Sequence, residues 1–185
     1  MIGPEFTHSD AGRYAIIAKQ FMEAAQTLVA ASPHKQRMLF RPTLTLAGHG
    51  LEVMLKACTF LNGETPATSG QVGHNIAKLW ESEVCEAVRG HVLINARNAA
   101  DEARDQRVFS DVPRSDDVER LINEYVQELG SLHTKNLLRY LSDPKTLVPR
   151  APFLVQSLWR TSDDLLKRPN DFILNEFRER ILPYC

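Results

Sequence analysis

Three cysteines, Cys58, Cys85 and Cys185, are too few and too far apart for a disulfide frame, and no CxxC pair occurs. An odd number of isolated thiols fits a reducing compartment, so the chain is expected in the cytoplasm and without a cysteine-based zinc site. Basic charge is not in excess either: 22 Lys and Arg stand against 23 Asp and Glu, for a formal net charge of -1. Broad neutralisation of a phosphate backbone is thereby excluded, although a local basic patch is not. No apolar run reaches the roughly eighteen residues of a membrane span, and the N-terminus lacks a basic-then-apolar leader, so no membrane contact is expected. The nucleophile elbow Gly-x-Ser-x-Gly is missing. So is a phosphate-cradling loop, because SGQVGH has two glycines but neither a preceding strand nor a following Lys-Ser/Thr.

What remains is a globular balance of 43% apolar and 24% charged residues, in a chain of 185 residues with the length of one domain. The stretch Met1 to Phe6 reads as a cloning and protease-site remnant and is set aside, leaving 7–185 as a single helical domain. The chain is organised around Arg41 to Gly63, RPTLTLAGHGLEVMLKACTFLNG. Pro42 suits a first helical turn and Asn62-Gly63 a C-terminal stop, which makes a helix of about twenty residues. It is too apolar for a surface: its charged residues are Glu52 and Lys56, with His49 the other titratable group, all on one stripe. Cys58, inside that run, is expected to be buried and inert.

Before this helix, Ser9 or Asp10 caps another to about Ala31, with Tyr14, Ile17, Ala18, Phe21, Ala25 and Leu28 on one face. A basic link, His34 to Arg41, joins the two. After Gly63, the loop ETPATSGQVG offers nothing to bury, and Gly73-His74-Asn75 opens a short helix carrying Ile76, Leu79 and Trp80. Helical residues then dominate from Glu83 to Gln106, weakened by Gly90. A break at Phe109 to Arg114 precedes a helix opened by the cap and first-turn acids Ser115-Asp116-Asp117, with Val118, Leu121, Ile122, Tyr125, Leu129 and Leu132 on one face. Residues 137–147 have the pattern of a small hairpin or an irregular excursion around Ser-Asp-Pro-Lys. Pro152 starts a helix to about Lys167, and Pro169-Asn170-Asp171 separates it from a last one with Phe172, Ile173, Phe177 and Ile181. The expected fold is an all-α bundle of six to seven helices.

Two phrases carry a resemblance: Gly48-His49-Gly50-Leu51-Glu52 running into Leu55-Lys56-Ala57, and Gly73-His74-Asn75-Ile76 with Leu79-Trp80. They resemble the H-x-x-E-x-x-L-K-A helix and the following G-H-x-L segment of HEPN domains (higher eukaryotes and prokaryotes nucleotide-binding). Such bundles are found with nucleotidyltransferases, toxin–antitoxin systems and other prokaryotic defence loci. The resemblance implies the bundle and a homodimer. Many members are metal-independent ribonucleases with an Arg-x4-6-His motif shared across the dimer. This chain departs from that motif: no arginine lies five to seven residues before any of its histidines, and Arg97 is followed at those distances by Glu102, Ala103 and Arg104.

The candidate binding residues are His49, Glu52, Lys56 and His74. Glu52 and Lys56 form an i,i+4 pair in the favourable order, and Glu52 would orient His49 or meet His74. A polar cluster facing a cleft competes here with an internal network that anchors the next segment. Metal ligands usually arrive as a tight local pair plus a distant third, and His49, Glu52 and His74 match that only loosely, so no metal and no cofactor are expected. The first functional expectation is a non-catalytic HEPN-like module acting through a homodimer or a gene-neighbour protein in a nucleotide- or RNA-related system. The first alternative is a ribonuclease with a displaced or inter-subunit site, using His49, Glu52, His133 and Arg139. The second is a small-ligand domain built on His49 and Glu52. Arg139-Tyr140, His133 and Lys135, with Arg150 and Arg160 further on, read more simply as a solvated face than as an RNA contact.

Overall fold

The structure, a computed structural model, describes residues 4–31, 33–67, 74–106, 114–135, 137–138, 149 and 151–176. Among these the elements are helical and no strand occurs. The seven α-helices are α1 (Pro4–His8), α2 (Asp10–Val29), α3 (Pro33–Leu61), α4 (Ile76–Glu81), α5 (Glu86–Asp105), α6 (Ser115–Thr134) and α7 (Ala151–Lys167). Two 3-10 turns, Glu83–Cys85 and Pro169–Phe172, complete them. No helix among the described residues is long and apolar enough to cross a membrane.

Helix α2 starts where the sequence says, with Ser9 as N-cap accepting from the Gly12 amide. It lies along α3, and α7 packs on both α2 and α5. The ring closes because α5 touches α6 and α6 touches α3. Inside it sit Met22, Leu51, Met54, Leu55, Ile122, Leu129, Leu154, Leu158 and Leu165, all fully buried. The stretch set aside as a remnant is helical from Pro4, and Phe6 packs against the core.

Helix α3 differs most from expectation. It begins at Pro33, so Pro42 lies in its interior and the basic link 34–41 is helix. An internal proline removes one backbone hydrogen bond and costs about 3 kcal/mol. Pro42 and Met38 are both exposed, so the interrupted hydrogen bond lies on the solvent side of the helix. Packing of α2 along α3 outweighs that local cost. The far end matches the sequence: Gly63 takes φ 75°. Its amide and that of Glu64 bond the carbonyls of Phe60 and Thr59, a Schellman closure.

Other boundaries shift slightly. Arg114 is the N-cap of α6, so Ser115 is its first helical residue. Glu83–Cys85 is a 3-10 turn before α5, and Pro66 in the loop after α3 is buried after all. Phe172 closes the 3-10 turn after α7 and does not belong to a last helix; its ring is fully buried and stacked on His91. The hairpin expected at 137–147, apart from Leu137 and Leu138, lies outside the described residues, as do Phe177 and Ile181.

Candidate functional site

Glycines flank His49 on the inner face of α3, and each has a packing reason. A Cβ at Gly48 would lie 2.9 Å from His133 Nδ1, and one at Gly50 would lie 2.7 Å from the Met22 terminal methyl. Both neighbours therefore approach the α3 backbone closely. The His49 ring is stacked on Phe21 of α2 (centroids 5.6 Å apart) and edge-on to His133 of α6 (4.6 Å).

One turn further along α3 is Glu52, and one more is Lys56; they are 4% and 5% exposed. Lys56 Nζ donates to Glu52 Oε1 at 2.6 Å. The same oxygen takes His74 Nδ1 at 3.0 Å, and Oε2 takes His133 Nε2 at 2.9 Å. Helix α4 brings His74 there. Asn75 caps α4 by accepting from the Lys78 amide, Trp80 Nε1 donates to Asn123 of α6, and Gly130 of α6 sits against Ala77. Fixed to α6 in this way, the residue before α4 stands beside the last turn of α6, where Thr134 Oγ1 donates to the His74 carbonyl. His74 and His133 thus converge on one carboxylate from different elements.

Burial drives the Glu52 carboxyl upward, but the hydrogen bonds from His133 and Lys56 and the charges of Lys56 and His74 outweigh it. The carboxyl is held at about 2, below its ordinary 4.5. A carboxylate so engaged is an organiser of its neighbours, with little basicity of its own.

The sequence-derived set His49, Glu52, Lys56 and His74 is thus gathered in one place, with a change in who holds whom. The expected partners of Glu52 were Lys56, His49 or His74; the second oxygen goes to His133, whose ring His49 packs against. The metal-capable grouping changes likewise. Among the described residues, the His49, Glu52 and His133 donor atoms lie within 4.8 Å of one another, so His133 takes the place given to His74. Arg139 lies outside the described residues. His133, read from the sequence as part of a solvated face, instead has a side chain only 9% exposed; the overlooked signal is its position four, seven and eleven residues after Leu129, Val126 and Ile122, on the buried face of α6.

Two buried polar joints carried no such signal. Asn62 Nδ2 donates to the carbonyls of Cys58 (2.9 Å), Phe172 (3.1 Å) and Val84 (3.3 Å), while its Oδ1 accepts from the Leu174 amide. Asn95 of α5 donates to Thr161 and Asp164 of α7. Cys58 is buried, its thiol donating to the Val84 carbonyl and pushed up by a hydrogen bond with Cys85 and by burial, so it is a poor nucleophile. No family model, no curated protein and no solved structure matches this chain.

Proposed function

We propose that the protein is a non-catalytic HEPN-like helical module that works through a partner, a second copy of itself or a gene-neighbour protein, in a nucleotide- or RNA-related prokaryotic system. The reading rests on the state of Glu52. Both of its oxygens are occupied by Lys56, His74 and His133, and the carboxyl is held at about 2. A general base needs a pKa nearer neutrality and room to accept a proton, whereas three donors already hold this carboxylate. Glu52 instead supports a joint between α3, α4 and α6, which is the role of a scaffold. The resemblance of the His49-to-Lys56 stretch to the HEPN helix, without an arginine at the spacing of the ribonuclease motif, supports the same reading.

A second reading has one observation in its favour: His49 and His133 are adjacent imidazoles, as acid–base cleavage of a phosphodiester would use. Incubation of the purified chain with single-stranded RNA and tRNA in chelator separates the two. The expected outcome is no cleavage above that of a His49→Ala, His133→Ala double variant. Metal-free cleavage that disappears in the double variant would replace the scaffold reading with the ribonuclease. Light scattering across a concentration series tests the homodimer.

A further inference from the structure

We infer that His49, Glu52 and His133 form a binding site for one divalent ion of the zinc type. The inference stands apart from the question of catalysis. Zinc is typically held by imidazole and carboxylate donors, two of them close in sequence and a third brought from a distance. That is the arrangement here: His49 and Glu52 are one turn apart on α3, and His133 arrives from the last turn of α6. Four-coordinate zinc with bonds of about 2.0–2.2 Å needs its donor atoms roughly 3.3 Å apart. His133 Nε2 and Glu52 Oε2 are already 2.9 Å apart, and the three donor atoms all fall within 4.8 Å. Closing the set brings the most distant donors together by at most about 1.5 Å. The hydrogen-bonding proton between His133 and Glu52 then gives way to the ion.

The surroundings are those of a prepared site. Lys56 and His74 both hold Oε1, which fixes the carboxylate and leaves Oε2 as the ligating oxygen. Phe21 and Gly48 set the two ring planes, one by stacking on His49 and the other by letting His133 lie close against α3. The donor set also selects the ion. Two imidazoles suit zinc and its neighbours in the transition series, whereas magnesium and calcium bind through carboxylate charge, which Lys56 here offsets. Three protein donors leave the fourth position for water or an incoming donor. The ion ties α3 to α6.

The test is a calorimetric titration of the chelator-treated full chain with Zn²⁺ and separately with Mg²⁺, alongside thermal melts and a Co²⁺ absorption spectrum. The expected result is one Zn²⁺ per chain, a melting temperature raised by Zn²⁺ and not by Mg²⁺, and the visible bands of four-coordinate Co²⁺. His49→Ala and His133→Ala should each weaken binding by at least roughly tenfold, on the scale known for disturbed metal sites. His74→Ala should keep the one-to-one stoichiometry. The absence of saturable Zn²⁺ binding, or equal binding by wild type and both ligand variants, overturns the site. Should a ligand variant fail to fold by circular dichroism, histidine NMR of the Zn²⁺-loaded wild type decides: fewer than two metal-bound imidazoles overturns the site, and His49 with His133 supports it. RNA cleavage and zinc binding are read independently, so either proposal can fail without the other.

Discussion

At Glu52 a charge is buried because its partners are buried with it, and the consequence is measurable one atom at a time. Glu52→Gln keeps the shape but strands the Lys56 ammonium, itself 5% exposed. In metal-free protein it should destabilise by about 1–3 kcal/mol, the range for hydrogen bonds to charged groups and buried groups left unpaired. In double-mutant cycles by urea unfolding, His133→Ala should couple to Glu52→Gln more strongly than His74→Ala does, since the side chains are 9% and 57% exposed. Additive effects, or a Glu52→Gln melt equal to wild type, would show a carboxylate that water could replace. Gly48→Ala puts a methyl against His133 Nδ1, so the imidazole must leave its seat. A cost of about 1–3 kcal/mol follows from overpacking, with changed His133 ring shifts in NMR; unchanged shifts would deny the close approach.

At the scale of elements, two helical glycines should behave oppositely. Gly90 on α5 is exposed, and no described atom lies within 4 Å of its missing Cβ, so Gly90→Ala should stabilise by up to about 1 kcal/mol through helix propensity. A Cβ at Gly130 on α6 would stand 3.2 Å from the Ala77 amide, so Gly130→Ala should gain nothing and push α4 away. Paired thermal melts decide, and equal shifts would mean that α4 does not press on α6. Asn62 joins the end of α3 to the turns Glu83–Cys85 and Pro169–Phe172. Asn62→Leu should therefore leave several buried backbone groups unpaired and cost on the order of 2–4 kcal/mol by denaturant titration. A neutral result would mean that water reaches them. Asn62 reads in the sequence only as a helix stop beside Gly63; its four bonding partners lie up to 112 residues away and leave no local trace.

Over the whole molecule, α7 is tied to its neighbours by acids. Asp163 meets Lys19 of α2, while Asp164 accepts from Asn95 of α5 and lies 3.7 Å from His91 Nδ1. Burial raises the Asp164 carboxyl, but Asn95, Arg168 and His91 outweigh it and hold it below its ordinary 3.8. The folded state therefore binds this proton less readily than the unfolded chain. The stabilisation is fully present above about the ordinary value and is lost as pH falls through the lower folded value. Acid unfolding followed by circular dichroism should show a reduced pH dependence below about pH 4 in Asp164→Asn compared with wild type; superimposable acid branches would remove Asp164 from the account. The all-α bundle and the places of most helices were determined by the sequence alone, because burial of one face per helix imprints a 3.6-residue period that needs no knowledge of neighbours. The clustering of Glu52 with Lys56 was likewise local, a matter of one helical turn. Tertiary structure decided the rest. Pro42 stays inside α3 because α2 packs along that helix, and His133 rather than His49 takes the second Glu52 oxygen because α6 crosses α3 at Gly48. Both outcomes depend on contacts between residues distant in the chain, whose geometry exists only once the helices have met.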